Sequence, residues 1–195
     1  GKCHLCLEEK HLCKAHVYSN LLYKKTLNSE NKMVQSTLND GQLNENLNRQ
    51  SGDWDPNILC KECDRRLSNN YESYFAKMYY NQTKKTGFIQ KDGYLLGVNI
   101  DFQKFSKFLL TQLWRMSISE KGYYDGAVLG VYHTEVIRKI LYENIVISDE
   151  LYPIIIKELK GSVMSKGTIP AERSKIYGIN YYWLKIHQFV CFIHV

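Results

Sequence analysis

The chain has 195 residues, 44% of them apolar and 24% charged, which is enough to bury a core and excludes a disordered tail. The net charge is +6 and evenly spread, since residues 1–90 and 91–195 each carry 13 Lys and Arg against 10 Asp and Glu, so neither half is a strongly basic domain. No run of about 18 apolar residues and no signal-like start is present, so no membrane association is expected and a reducing cytoplasm is the expected compartment.

Residues 1–17 read as a knuckle, Cys3-His4-Leu5-Cys6, followed by a short strand over 12–17. Residues 18–56 look the least ordered. Their second part is rich in Asn, Gln, Ser, Asp and Gly, and a structureless loop of that length is unusual inside a compact domain. It reads as an insertion that grips a ligand or partner, as a mobile lid, or as a tolerated surface excursion. Residues 57–64 are expected to form a second strand and the second knuckle, Cys60-Lys61-Glu62-Cys63. From Asp64 to about residue 82 the pattern turns helical, with Leu67, Tyr71, Tyr74, Phe75, Met78 and Tyr79 recurring at three and four. Asp64 lies near the start, where a carboxylate suits free N–H groups.

Glycines 87, 93 and 97 mark a boundary, and Phe88-Ile89 with Tyr94-Leu95-Leu96 fit a short hairpin around Lys91-Asp92-Gly93. The strongest helix spans about 101–119, with Asp101 as N-cap, Phe102, Phe105, Phe108, Leu109, Leu113 and Met116 on one face, and Trp114 and Arg115 widening it. Residues 122–130 are a glycine-rich loop. Helices are expected over 134–144 and 148–160, the latter tolerating Pro153 in its first turn. Beyond Ser162 the chain reads as sheet, over 176–182 and 184–195. The run Phe189 to Ile193 is a buried strand or one that pairs with another chain. The expected fold class is α+β. A zinc-stapled module over 1–85 precedes an accessory region over 86–195, made of helices and then a small antiparallel sheet.

Six cysteines are present, four of them in two C-x-x-C pairs, a spacing that suits metal ligation better than a disulfide framework. A structural zinc site takes four soft ligands, usually as two chelating pairs. Cys3, Cys6, Cys60 and Cys63 supply them. A local site of Cys3, Cys6, His11 and Cys13 is the rival arrangement and leaves the second knuckle without a role. His4 reads as a solvated turn residue. Cys13 and Cys191 read as buried small hydrophobes.

The order of Cys3, Cys6, His16, Asn57, Leu59, Cys60, Cys63 and Asp64 resembles the zinc-ribbon subtype of the HNH (His-Me finger) endonucleases, over about a third of the chain. The resemblance implies a ββα-metal fold and hydrolysis of DNA phosphodiester bonds. By it, His16 is the general base, Asn57 orients the imidazole, and Asp64 holds a catalytic magnesium or manganese ion beside the structural zinc. An imidazole suits the base role at neutral pH. One departure is plain: the family places Asp, Glu or His before the catalytic His, and this chain has Ala15; Tyr18-Ser19 also replaces the usual Pro. Either Glu72, Asp53 or Asp55 completes the site, or metal binding is weakened or lost. Residues 98–160 more loosely resemble small bacterial proteins of this family from mobile elements and phage-defence loci, which implies a regulated or partner-dependent nuclease in antiviral defence. The alternative is a catalytically inactive zinc module that binds nucleic acid or a protein partner, with His16 a core histidine. A homo-oligomer stays open. Arg65-Arg66, and the lysines of 77–85 beside Tyr79 and Tyr80, are candidates for nucleic-acid contact or for ordinary packing and solvation.

Overall fold

The computed structural model describes residues 1–23, 33–39, 42–49, 52–80, 87–91, 94–148, 150–159 and 167–195. The fold is mixed α+β, as expected, with several small antiparallel sheets around a helical centre. Strand β1 (Ala15–His16) pairs with β4 (Trp54–Asp55). Between them in sequence, β2 (Met33–Asn39) pairs with β3 (Gln42–Arg49). The second half of the expected loop over 18–56 is therefore hairpin backbone. The polar composition suggested loop because polar strands carry no apolar alternation, while Asp40-Gly41, a turn dipeptide, lies between the two.

The strand expected over 57–64 is not formed. Cys60 makes a single bridge to Leu12, and α1 (Lys61–Leu67) begins inside the knuckle, with Cys60 at its N-cap. Asp64 falls in the first turn and makes no cap hydrogen bond. A π-helical turn over Ser68–Glu72 then leads into α2 (Ser73–Tyr80). One continuous helical rod thus replaces the regular helix expected over 64–82. The hairpin around residue 92 is present as β5 (Gly87–Lys91) and β6 (Tyr94–Val98).

Helix α3 (Phe102–Ile118) is the hub, capped by Asp101, whose side chain accepts from the Lys104 N–H. Its residues from Phe105 to Met116 are all buried, so it is enclosed on every side rather than on one stripe. The Phe75 ring stacks on Phe108 at 4.0 Å. Trp114 Nε1 donates to Thr134 O of α4 (Gly130–Tyr142) at 3.1 Å. Helix α4 starts four residues earlier than expected. Three of the buried polar side chains on α3 reach other parts of the fold: Gln112 accepts from the Ser19 N–H, Lys107 donates to Asn144, and Arg115 donates to Asp64, Glu72 and the His16 carbonyl.

The helix expected over 148–160 is overturned. Tyr152 sits in the left-handed region at φ 55, and β7 (Ile154–Glu158) pairs with β10 (Phe189–His194). Three consecutive isoleucines, β-branched and stiff, favour strand once a partner is present. With β8 (Thr168–Ile176) and β9 (Ile179–Ile186) they make an antiparallel sheet of order β7-β10-β9-β8. Strand β10 is interior to this sheet, with alternate residues buried. One buried cluster contains residues from both sides of position 85, from Cys3 to Ile193.

Phe108 is fully buried between helices, so Phe108→Ala should cost about 3–5 kcal/mol. Urea unfolding followed by circular dichroism should show this as a lower midpoint with an unchanged slope.

Candidate metal centre and the charged cluster beside it

Cys3, Cys6, Cys60 and Cys63 bring their sulfurs within 4.8 Å of one another. A tetrahedral zinc with sulfur at about 2.3 Å sets sulfurs about 3.8 Å apart, so this cluster needs only a small contraction to close on the ion. Among the described residues it is the one group of three or more Cys, His, Asp or Glu side chains placed to share a metal. His11 and Cys13, the rival ligands, are not in it. Both knuckles build it by backbone geometry. The Cys60 N–H donates to Cys3 Sγ at 3.3 Å, and the Leu7 N–H donates to Cys3 O, closing the first turn. The second turn is the start of α1, where positions 60 and 63 share a face. Burial pushes the Cys63 and Cys6 thiols up. Burial also raises Cys3, but N–H groups of Cys6, Cys60 and Leu5 outweigh it and lower the thiol overall. Donors aimed at sulfur favour the thiolate, which is the form that binds metal.

Beside this centre a single guanidinium gathers the other candidate residues. Arg115, 1% exposed, donates through Nη2 to Asp64 Oδ1 at 3.0 Å and through Nη1 to Glu72 Oε1 at 2.6 Å. The same Nη1 reaches the His16 carbonyl at 3.2 Å. Strand β1, helix α1 and the π turn therefore meet on one cation from α3. Burial raises the Asp64 carboxyl, and Glu72 adds to it, while Arg115 and His16 oppose.

The donor set does not fit a second, divalent ion as it stands. Ala15 is fully buried and has no donor, and the guanidinium already takes an oxygen from each of Asp64 and Glu72. Asp55 accepts from Ser119 Oγ and from the Asn57 N–H, and Asp53 pairs with Lys121. Asn57 itself is exposed on the turn after β4. Of the expected residues, the His16 carbonyl and the Asp64 carboxylate meet on Arg115. Glu72, one of the three alternatives, joins them, while Asp53 and Asp55 serve other partners.

Sequence reasoning took Arg115 only as part of an apolar face. A charged residue in the last turn of a helix, flanked by Trp114 and Met116, was the signal available. Sequence reasoning also missed Trp54, which lies opposite His16 in the β1–β4 pair and has the Lys14 ammonium 4.5 Å and the Lys121 ammonium 5.6 Å from its ring. Gly52, at φ 74, brings the chain into β4 so close to Tyr23 that an added Cβ would meet its ring. The basic residues singled out earlier are structural in part: Arg66 donates to Tyr142 O and lies over its ring, and Tyr80 bonds Leu21 O. Residues 81–86 fall outside the described segments.

Comparison with protein-family models, curated proteins and solved structures gives no match, so the residues themselves carry the reading.

Purified protein should contain one zinc, and Cys60→Ser or strong chelation should collapse the cooperative melt, because binding energy on the order of 10 kcal/mol is coupled to folding in such sites. Arg115→Ala strands Asp64 and Glu72 without their cation and should cost about 3–5 kcal/mol in urea unfolding. Glu72→Gln, which keeps the shape, should cost less.

Proposed function

We propose that the chain is a His-Me-finger endonuclease that cleaves phosphodiester bonds in DNA, with His16 as general base. The observation that carries this reading is the strand–strand–helix unit β1–β4–α1, closed by the four cysteines, in which the backbone carbonyl of His16 and the carboxylate of Asp64 both accept from Arg115. His16 is partly exposed on its strand, as a base that meets solvent water must be. Lys14 lies over Trp54 in the neighbouring position and offers a cation and a ring for a phosphate backbone, while Lys121, paired with Asp53, packs beside the same ring. Arg115 holds Asp64 and Glu72 and fixes the strand that carries His16. Magnesium or manganese is the family's usual source of Lewis acidity, and Arg115 already engages the two carboxylates nearest to that role.

A second reading is favoured by the same guanidinium. With a built-in cation between Asp64 and Glu72, the unit is a zinc-stapled binding module that grips nucleic acid or a protein partner without cutting. A role in antiphage defence, and a regulated or partner-dependent activity, belong to the nuclease reading as expectations.

Supercoiled-plasmid nicking separates the two. Wild-type protein with magnesium, with manganese and with chelator present should nick under at least one condition, and His16→Ala should lose about 100-fold or more of that rate. Equal cleavage by both proteins, or none by the wild type at high concentration, would reject the base assignment. Lys14→Ala should weaken DNA retention and reduce its salt dependence by about one phosphate contact.

A further inference from the structure

A cavity of about 390 Å³, lined in part by the π turn, is used by neither reading above. Its walls include Asn69 and Asn70 of the π turn, Lys104 and Lys107 of α3, and Asn144 after α4. This volume falls within the roughly 300–1,000 Å³ typical of small-molecule sites. π turns are rare and often mark functional positions, because the extra residue re-aims side chains.

Lys107 is the telling residue. It is 3% exposed, yet no carboxylate among the described residues lies within ion-pair distance of its ammonium. Among the described residues its hydrogen bond runs to a neutral acceptor, Asn144 Oδ1, at 2.7 Å. That same oxygen accepts from the Tyr71 hydroxyl at 3.3 Å, which fixes the amide in place. Asp101 at the rim is already committed, to the Lys104 N–H and to the Lys104 ammonium at 3.5 Å. Burial lowers the Lys107 pKa, with Asp101 opposing only through distance. A buried cation held by one neutral oxygen is costly unless an anion completes it.

We propose that this cavity binds a nucleoside phosphate, the phosphate resting on Lys107, which Asn144 holds in place, and the base facing the carboxamides of Asn69 and Asn70. A bare phosphate would fill only a fraction of the space. Carboxamides present donor and acceptor side by side, the pairing that reads an adenine edge. Lys107 lies eight residues before Arg115 on α3, about 12 Å along the helix, so the two centres are separate but share the rod over 61–80 as a common wall. The ligand is a free nucleotide or the 5′-phosphorylated end of a strand, which present the same chemistry.

Isothermal titration with deoxyadenosine 5′-monophosphate, deoxyadenosine and inorganic phosphate tests this. The nucleotide should bind, and deoxyadenosine about tenfold or more weaker. Lys107→Met should lose about tenfold or more of nucleotide affinity, keep its zinc and melt no lower than wild type, since it removes an uncompensated buried charge. Asn144→Ala should also weaken binding, which gives a second route should Lys107→Met fail to fold. His16→Ala should bind as wild type does, so failure of the nuclease reading leaves this result standing. A short oligodeoxynucleotide with and without a 5′-phosphate identifies the source: tighter binding of the phosphorylated strand than of the mononucleotide points to strand ends, and the reverse to free nucleotide. No binding of the nucleotide or the phosphorylated strand at about 10 mM, or equal binding by wild type and both variants, overturns the proposal.

Discussion

The four-cysteine closure is the constraint on which the N-terminal unit depends. Cys3 and Cys60 lie 57 positions apart, and bringing the ends of a flexible loop of that length together costs about 3.6 kcal/mol beyond a constant term. The pairing it holds in place is slight: β1 and β4 are two residues each, and Leu12 meets Cys60 in a single bridge. Two-strand pairing of that size is not stable alone in water. A metal that draws four thiolates together offsets the closure cost and sets the start of α1, because Cys60 and Cys63 are the N-cap and first turn of that helix.

Once α1 is fixed, Arg115 settles what faces what. A buried guanidinium is tolerable only where acceptors surround it. Here they come from three separately positioned pieces: Asp64 in the first turn of α1, Glu72 at the end of the π turn, and the His16 carbonyl on β1. The zinc-type unit and the central helix are therefore joined through charge as well as through apolar packing. The same cation makes the cluster unlike a free two-carboxylate metal site. It is the physical reason the cleavage and binding-only readings compete.

Much of this was legible along the chain because it is written locally. The C-x-x-C spacing identifies the quartet, the apolar period of α3 and its Asp101 cap identify the helix, and Lys91-Asp92-Gly93 identifies a hairpin. What was not legible rests on distant partners. Ile154-Ile155-Ile156 behind Ser148 and Glu150 reads as a helix until β10 supplies the neighbouring strand from some 35 residues away. Arg115 reads as a widened apolar face until Asp64 and Glu72 arrive from 51 and 43 positions upstream. The π turn leaves no trace in the pattern, since its neighbours keep a helical period on both sides.

X-ray absorption at the zinc edge tests the central claim, that both knuckles close on one ion, more directly than any other measurement. Four sulfurs at about 2.3 Å, with no nitrogen or oxygen in the first shell, is the predicted result. A mixed shell of sulfur and nitrogen, as the ligands Cys3, Cys6, Cys13 and His11 would give, or the absence of bound zinc, would contradict it.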